Sequence, residues 1–173
     1  MKIYLIGMMG AGKTSLGKRL AGQLNYFFLD LDEKIATDHK KTISELFELK
    51  GEKEFRNLEK IALRQTIELE NTIISCGGGT PCFHRNMDWI NETGCTVYLK
   101  YPAATLAHRL LHAKVKRPLL DKVSARELEG FLREMIKARE TYYSEAKMVV
   151  EPLKLKANVV TEIIERLQKI NAL

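Results

Sequence analysis

Cysteine is scarce in this chain, with Cys76, Cys82 and Cys95 making an odd set that contains no C-x-x-C pair. That count disfavours both a disulfide framework and a zinc site, so reduced, partly buried thiols are expected. Histidine is also thin: the single helical i,i+4 pair, His108 and His112, has no H-E-x-x-H around it and reads as a surface pair. No apolar run is longer than a strand, so neither a membrane helix nor a secretory leader is expected, and the cytoplasm is the expected compartment. Low-complexity tracts and internal repeats are missing, as is any N-K-x-D motif for reading guanine. Nor is there a long basic block. The 28 Lys and Arg are interspersed with 22 acidic residues, so a small anionic ligand explains the net charge of +6 as well as nucleic acid would, and no nucleic-acid partner is expected.

What is present fits a single domain, expected to act as a monomer. A chain of 173 residues buries roughly 70% of its unfolded surface, with no room for a second core. Short runs rich in β-branched and aromatic residues at Lys2–Ile6, Tyr26–Leu29, Thr72–Ser75, Cys95–Leu99 and Lys147–Val150 predict five strands. Helical patterns fall between them, at Lys13–Leu24, Thr42–Leu69, Phe83–Asn91, Ala103–Leu111 and Ser124–Ser144, with a last one at Asn158–Asn171. Alternation of this kind predicts an α/β fold of three layers, a parallel five-stranded sheet with helices on both faces and ligands at the carboxyl ends of the strands.

The first strand runs straight into Gly7-Met8-Met9-Gly10-Ala11-Gly12-Lys13-Thr14, which satisfies G-x-x-x-x-G-K-[ST] in the required strand-to-helix setting. Such a loop turns successive main-chain N–H groups inward on phosphate oxygens, and the helix that follows presents its positive end to the same anion. Gly10, Ala11, Gly12, Lys13, Thr14 and Ser15 are therefore the candidate nucleotide-binding residues. Lys13 is expected to reach the β- and γ-phosphates, and Thr14 to place its hydroxyl on Mg²⁺. The third strand ends in Gly77-Gly78-Gly79, a triplet expected to allow close approach of backbone to a ligand.

A nucleoside triphosphate brings a divalent cation, and Asp30, at the end of the second strand, is the expected carboxylate on the metal side. Asp32 lies on the same side if the chain stays extended. It either accepts a hydrogen bond from an attacking hydroxyl or simply caps the following helix. Arg56 and Arg139 are each open to two readings, a functional guanidinium or a solvated helical charge, and Arg56 has Glu59 at i+3. Between about 111 and 123, His112, Lys114, Lys116 and Arg117 crowd ahead of Pro118. This is either a solvated loop or a basic flap whose arginine neutralises charge during transfer and excludes water.

Taken together, these residues resemble the shikimate kinases. The likeness spans Gly7 to Lys18, Phe28 to Asp32, Gly51-Glu52 with Phe55-Arg56 and Glu59, Gly77 to Thr80, Arg117-Pro118-Leu119-Leu120, and Arg139 before Tyr142. It implies a P-loop kinase fold similar to nucleoside monophosphate kinases, with a substrate-binding region at about 31–62 and a lid at about 111–123. It also implies transfer of the ATP γ-phosphoryl group to the 3-hydroxyl of shikimate, with Mg²⁺, in aromatic amino-acid biosynthesis. By the same resemblance Lys13, Asp32 and Arg117 are catalytic, with Arg117 on the phosphates. Asp32, Phe55, Arg56, Gly78, Gly79 and Arg139 bind shikimate, the two arginines gripping its carboxylate, and Thr14 and Asp30 serve the metal. Family members carry an adenine-side arginine where this chain has Leu110, and Arg109 is the expected substitute. The rival readings are a kinase for another polyol acid, such as gluconate, a nucleotide-switch protein, and a nucleic-acid binding module that rests only on the net charge of +6.

Overall fold

The computed structural model describes residues 1–113, 120, 123–155 and 158–170. Five strands, β1 (Lys2–Ile6), β2 (Phe27–Asp30), β3 (Thr72–Ser75), β4 (Cys95–Leu99) and β5 (Met148–Val150), form one sheet in the order β2-β3-β1-β4-β5. Every neighbouring pair is parallel, with Ile3 opposite Ile73 and Cys95, and Leu29 opposite Ile74. All residues of β3 and β4 are buried, without the alternation of a sheet that has one wet face.

Helices cover both sides. These are α1 (Lys13–Leu24), α2 (Leu31–His39), α3 (Ile43–Gln65), α4 (Asn86–Thr93), α5 (Ala103–Leu111), α6 (Leu128–Tyr143) and α7 (Val159–Lys169). Successive residues of β1 assign them to opposite faces. Leu5 lies against α1, where a Cβ on Gly17 would come within 3.1 Å of its Cδ1. Tyr4 points the other way, its ring 6.1 Å from Trp89 of α4 and its hydroxyl bonded to Thr66 and Thr93. The three expected layers are therefore present. Among the described residues, no helix is long and apolar enough to cross a membrane.

Two departures from the sequence reading shape the site. The helix α2 enters the sequence reading only as the helix open to capping by Asp32, because its nine residues show just a short apolar pattern of Leu31 and Ile35. The single long helix expected over Thr42–Leu69 is instead two helical pieces meeting at Gly51 (φ 75°, ψ 169°), followed by a 3₁₀ turn at Thr66–Glu68. Only glycine adopts that backbone conformation readily, so Gly51 sets the angle at which the second piece approaches the sheet. The first piece starts on a complete capping box, Thr42 bonding the Glu45 N–H and Glu45 reaching back to the Thr42 N–H.

Candidate active site

Phosphate-loop chemistry begins with backbone shape. Gly7, Gly10 and Gly12 have φ of 136°, 79° and 82°, values that other L-residues rarely adopt, and this bends the loop back over the start of α1. The ammonium group of Lys13 donates to the carbonyls of Gly7 (2.8 Å) and Met8 (3.0 Å), which places it inside the loop. Thr14 donates its hydroxyl to Oδ2 of Asp30 at 2.7 Å. The cavity here has an empty volume of about 1350 Å³, and Gly10, Gly12, Lys13, Thr14, Ser15 and Asp30 are among its lining residues.

Asp30 rather than Asp32 caps α2. Its Oδ1 accepts from the N–H groups of Asp32 (3.1 Å) and Glu33 (3.4 Å). The chain does not stay extended past β2, as the sequence reading supposed, and the capping role weighed for Asp32 belongs to its neighbour. Asp32 instead sits in the first turn of α2 and lines two cavities. On the expected adenine side, Arg109 and Leu110 both line the larger cavity, and the Arg109 guanidinium carbon stacks 4.2 Å from the Tyr101 ring centroid.

The second cavity, with an empty volume of about 510 Å³, lies between α3, α6 and the glycine triplet. Its walls bring together Asp32, Phe55, Arg56, Gly78, Gly79 and Arg139, all expected from the sequence, with Met9, Ile43, Phe47 and Glu59. Arg56 is 5% exposed, so the reading of a solvated helical charge does not hold. Its Nη1 donates to Glu59 Oε2 at 2.6 Å and its Nη2 to Glu52 Oε1 at 2.9 Å, with the Phe83 ring 4.5 Å from the guanidinium carbon. Burial pulls the Arg56 pKa down, but the Glu59 and Glu52 carboxylates outweigh it and hold the group above its ordinary range. Losing either buried partner of Arg56–Glu59 strands a charge, at a cost of about 3–5 kcal/mol.

The glycine triplet, expected to let backbone approach a ligand, is also packed against by side chains of the site. A Cβ on Gly77 would lie 2.8 Å from Glu59 Oε1 and 2.9 Å from both Asp32 Oδ1 and Thr80 Oγ1. One on Gly79 would lie 2.6 Å from Arg56 Nη1, and one on Gly78 would lie 3.3 Å from Arg139 Nη1. These positions are glycine because the site's own charged side chains close over them, and none has the positive φ of a strained turn. The two tyrosines that follow Arg139 on α6 differ in placement. Tyr142 is 39% exposed, whereas Tyr143 is fully buried and donates to the Gly78 carbonyl at 2.5 Å. Desolvation raises the Tyr143 phenol above its ordinary range, so it remains a donor at neutral pH.

The sequence also left Thr80, Met9, Ile43 and Phe47 without individual roles, the last two inside the expected substrate-binding region. Ile43 and Phe47 carry an ordinary helical apolar spacing, which signals core as readily as a pocket wall. Arg117 and most of the expected lid lie outside the described residues. His108 and His112 are exposed, with ring centroids 4.6 Å apart, as a surface pair. Among the described residues, no three His, Cys, Asp or Glu side chains cluster as a metal site. All three cysteines are free thiols, two of them buried.

A parallel sheet in this strand order, with a phosphate loop between β1 and α1 and a second cavity beside it, defines a P-loop kinase. The family model described as shikimate kinase matches residues 9–168. A shikimate kinase from Azobacteroides pseudotrichonymphae is 43% identical over 162 residues, covering 93% of this chain and 95% of the relative. The crystal structure of shikimate kinase from Bacteroides thetaiotaomicron, 40% identical, superposes with a TM-score of 0.90 over 100% of this chain and 99% of its own. The solved structure of shikimate kinase from Acinetobacter baumannii in complex with shikimate, 30% identical, gives a TM-score of 0.84 over 98% of this chain and 92% of its own. The chain belongs to the shikimate kinase family.

Proposed function

We propose that the larger cavity holds ATP and the smaller one shikimate, and that the γ-phosphoryl group passes to the 3-hydroxyl of shikimate where the two cavities meet. One observation carries this reading: Met9, Asp32, Gly77 and Gly78 line both cavities, so ligands in each touch across a shared wall. Transfer between bound reactants needs that contiguity, because positioning supplies much of the catalysis.

Main-chain N–H groups of Gly10, Ala11 and Gly12, with Ser15 at the start of α1, cradle the phosphates. Lys13 leaves the carbonyls of Gly7 and Met8 for the β- and γ-phosphate oxygens. The Thr14 hydroxyl and Asp30 carboxylate, two hard oxygens held 2.7 Å apart, fit Mg²⁺, an ion that takes one or two protein ligands and completes its shell with phosphate and water. When bound there, Mg²⁺ neutralises charge on the transferring phosphate.

At the acceptor, Asp32 orients the attacking hydroxyl and takes its proton as the new P–O bond forms and the bond to ADP breaks. Arg56 and Arg139 grip the carboxylate, a task suited to a planar fork of donors. Phe55 walls the ring, and the N–H groups of Gly78 and Gly79 face it. The resemblance assigns Arg117 to the γ-phosphate. In this reading the enzyme is cytoplasmic and acts as a monomer, each chain lining both of its own cavities.

ADP release measured with shikimate, quinate, gluconate or no acceptor tests the reading. Turnover is expected to depend on acceptor and to be greatest with shikimate. Strong release without acceptor would mark an ATPase, and equal release with gluconate would overturn the acceptor assignment.

A further inference from the structure

The segment that follows the glycine triplet, Thr80 to Phe83, is not absorbed by any role above. Thr80 is 1% exposed and donates its hydroxyl to Glu59 Oε1 at 2.5 Å. Glu59, also 1% exposed, gives its other oxygen to Arg56 Nη1 at 2.6 Å. The two oxygens of this buried carboxylate are thus divided between a hydroxyl and a guanidinium. Arg56 Nε is buried and, among the described residues, has no hydrogen-bond partner.

We propose that Thr80 is a positioning residue for acceptor binding: by occupying one oxygen of Glu59, it stops that carboxylate from taking a second N–H of Arg56, and so keeps a guanidinium edge available to the carboxylate of the acceptor. The inference rests on the assignment of Arg56 to that carboxylate. Thr80 is itself fixed, in a 3₁₀ turn (Thr80–Cys82) whose second residue is Pro81. Its N–H donates to the Gly77 carbonyl at 3.1 Å, and its carbonyl accepts from Asn86 Nδ2 at 2.9 Å. Phe83 ends the same turn and stacks on the guanidinium, so one short segment sets both the rotation of Glu59 and the plane of Arg56. Without the hydroxyl, Glu59 Oε1 loses its donor in a buried site, and the nearest charge that satisfies it is Arg56.

Carboxylate binding far from the reacting phosphate stabilises ground and transition states alike, so its loss appears in KM and not in kcat. Thr80→Val is expected to raise KM for shikimate about tenfold, with kcat and KM for ATP within about threefold of the parent. Thr80→Ala, measured beside it, carries the same expectation if the valine variant does not fold. Thr80→Ser, which keeps the hydroxyl, is expected to restore KM to within about threefold. A folded Thr80→Val or Thr80→Ala enzyme with unchanged KM for shikimate overturns the proposal, as does a loss confined to kcat or to melting temperature. Arg56→Lys separates the two readings. If it leaves KM for shikimate unchanged, the assignment of Arg56 fails; if it raises KM while the Thr80 variants do not, only the role of Thr80 fails. In the double variant the two effects are expected not to add, as for residues acting through one network.

Discussion

The Thr14 hydroxyl and the Asp30 carboxylate meet at 2.7 Å, and the second oxygen of that carboxylate caps α2. One side chain therefore joins the first turn of α1, the end of β2 and the start of the acceptor-side helices. Asp30 has a structural task, which asparagine also performs, and a charge, which asparagine lacks.

Asp30→Asn is therefore expected to keep its melting temperature close to the parent's while needing about tenfold more Mg²⁺ for half-maximal activity. Asp30→Ala should lose the cap as well, at about 1 kcal/mol. Thermal melts and Mg²⁺ titrations of both variants check the division of labour.

Asp32 lies in the first turn of α2, whose cap is the Asp30 carboxylate, and lines both cavities. Asp32→Asn is expected to lower kcat by about 10²-fold or more while leaving the Kd for ATP within about threefold. Steady-state kinetics with calorimetric ATP binding measure this, and full activity in the variant would remove Asp32 from the chemistry.

Two glycines of α1 should respond in opposite directions to the same substitution. Around Gly22 nothing lies within 4 Å of an added Cβ, so Gly22→Ala should stabilise by about 0.5–1 kcal/mol through helix propensity. At Gly17 the new methyl would sit 2.5 Å from Phe28 Cε2 and 3.1 Å from Leu5 Cδ1. Overpacking at about 1–3 kcal/mol exceeds that gain, so Gly17→Ala should lower the urea midpoint while Gly22→Ala raises it.

Burial pushes the Cys82 thiol up to about 11, against the opposing pull of Arg139 and Arg56. At pH 8 it holds about a hundredfold less thiolate than an unperturbed cysteine. Its alkylation by iodoacetamide should be correspondingly slow at that pH and should climb as pH rises toward 11. A rate that levels off near pH 9 would contradict the burial argument.

Much of this was legible in the chain because the signals were local. The phosphate loop, the strand ends that deliver Asp30 and the glycine triplet, and the alternation of strand and helix each occupy a few consecutive residues. The break at Gly51 was not, because one glycine in an otherwise helical pattern does not announce a backbone turned to φ 75°. Nor was the cap, since Asp30 and Asp32 are both acids at the mouth of a helix and only the backbone decides which one accepts its N–H groups. Thr80 and Tyr143 escaped notice for a different reason: their partners, Glu59 and the Gly78 carbonyl, lie 21 and 65 residues away.

The wall common to the two chambers has one further consequence. A single compound joining a polyphosphate tail to a hydroxylated ring acid would cross from the loop to the arginines past Gly77 and Gly78, which line both chambers. Its nucleotide half would fit many enzymes with such a loop. Discrimination would reside in the ring half, in the chamber lined by Arg56 and Arg139, where the proposed function puts the acceptor's carboxylate.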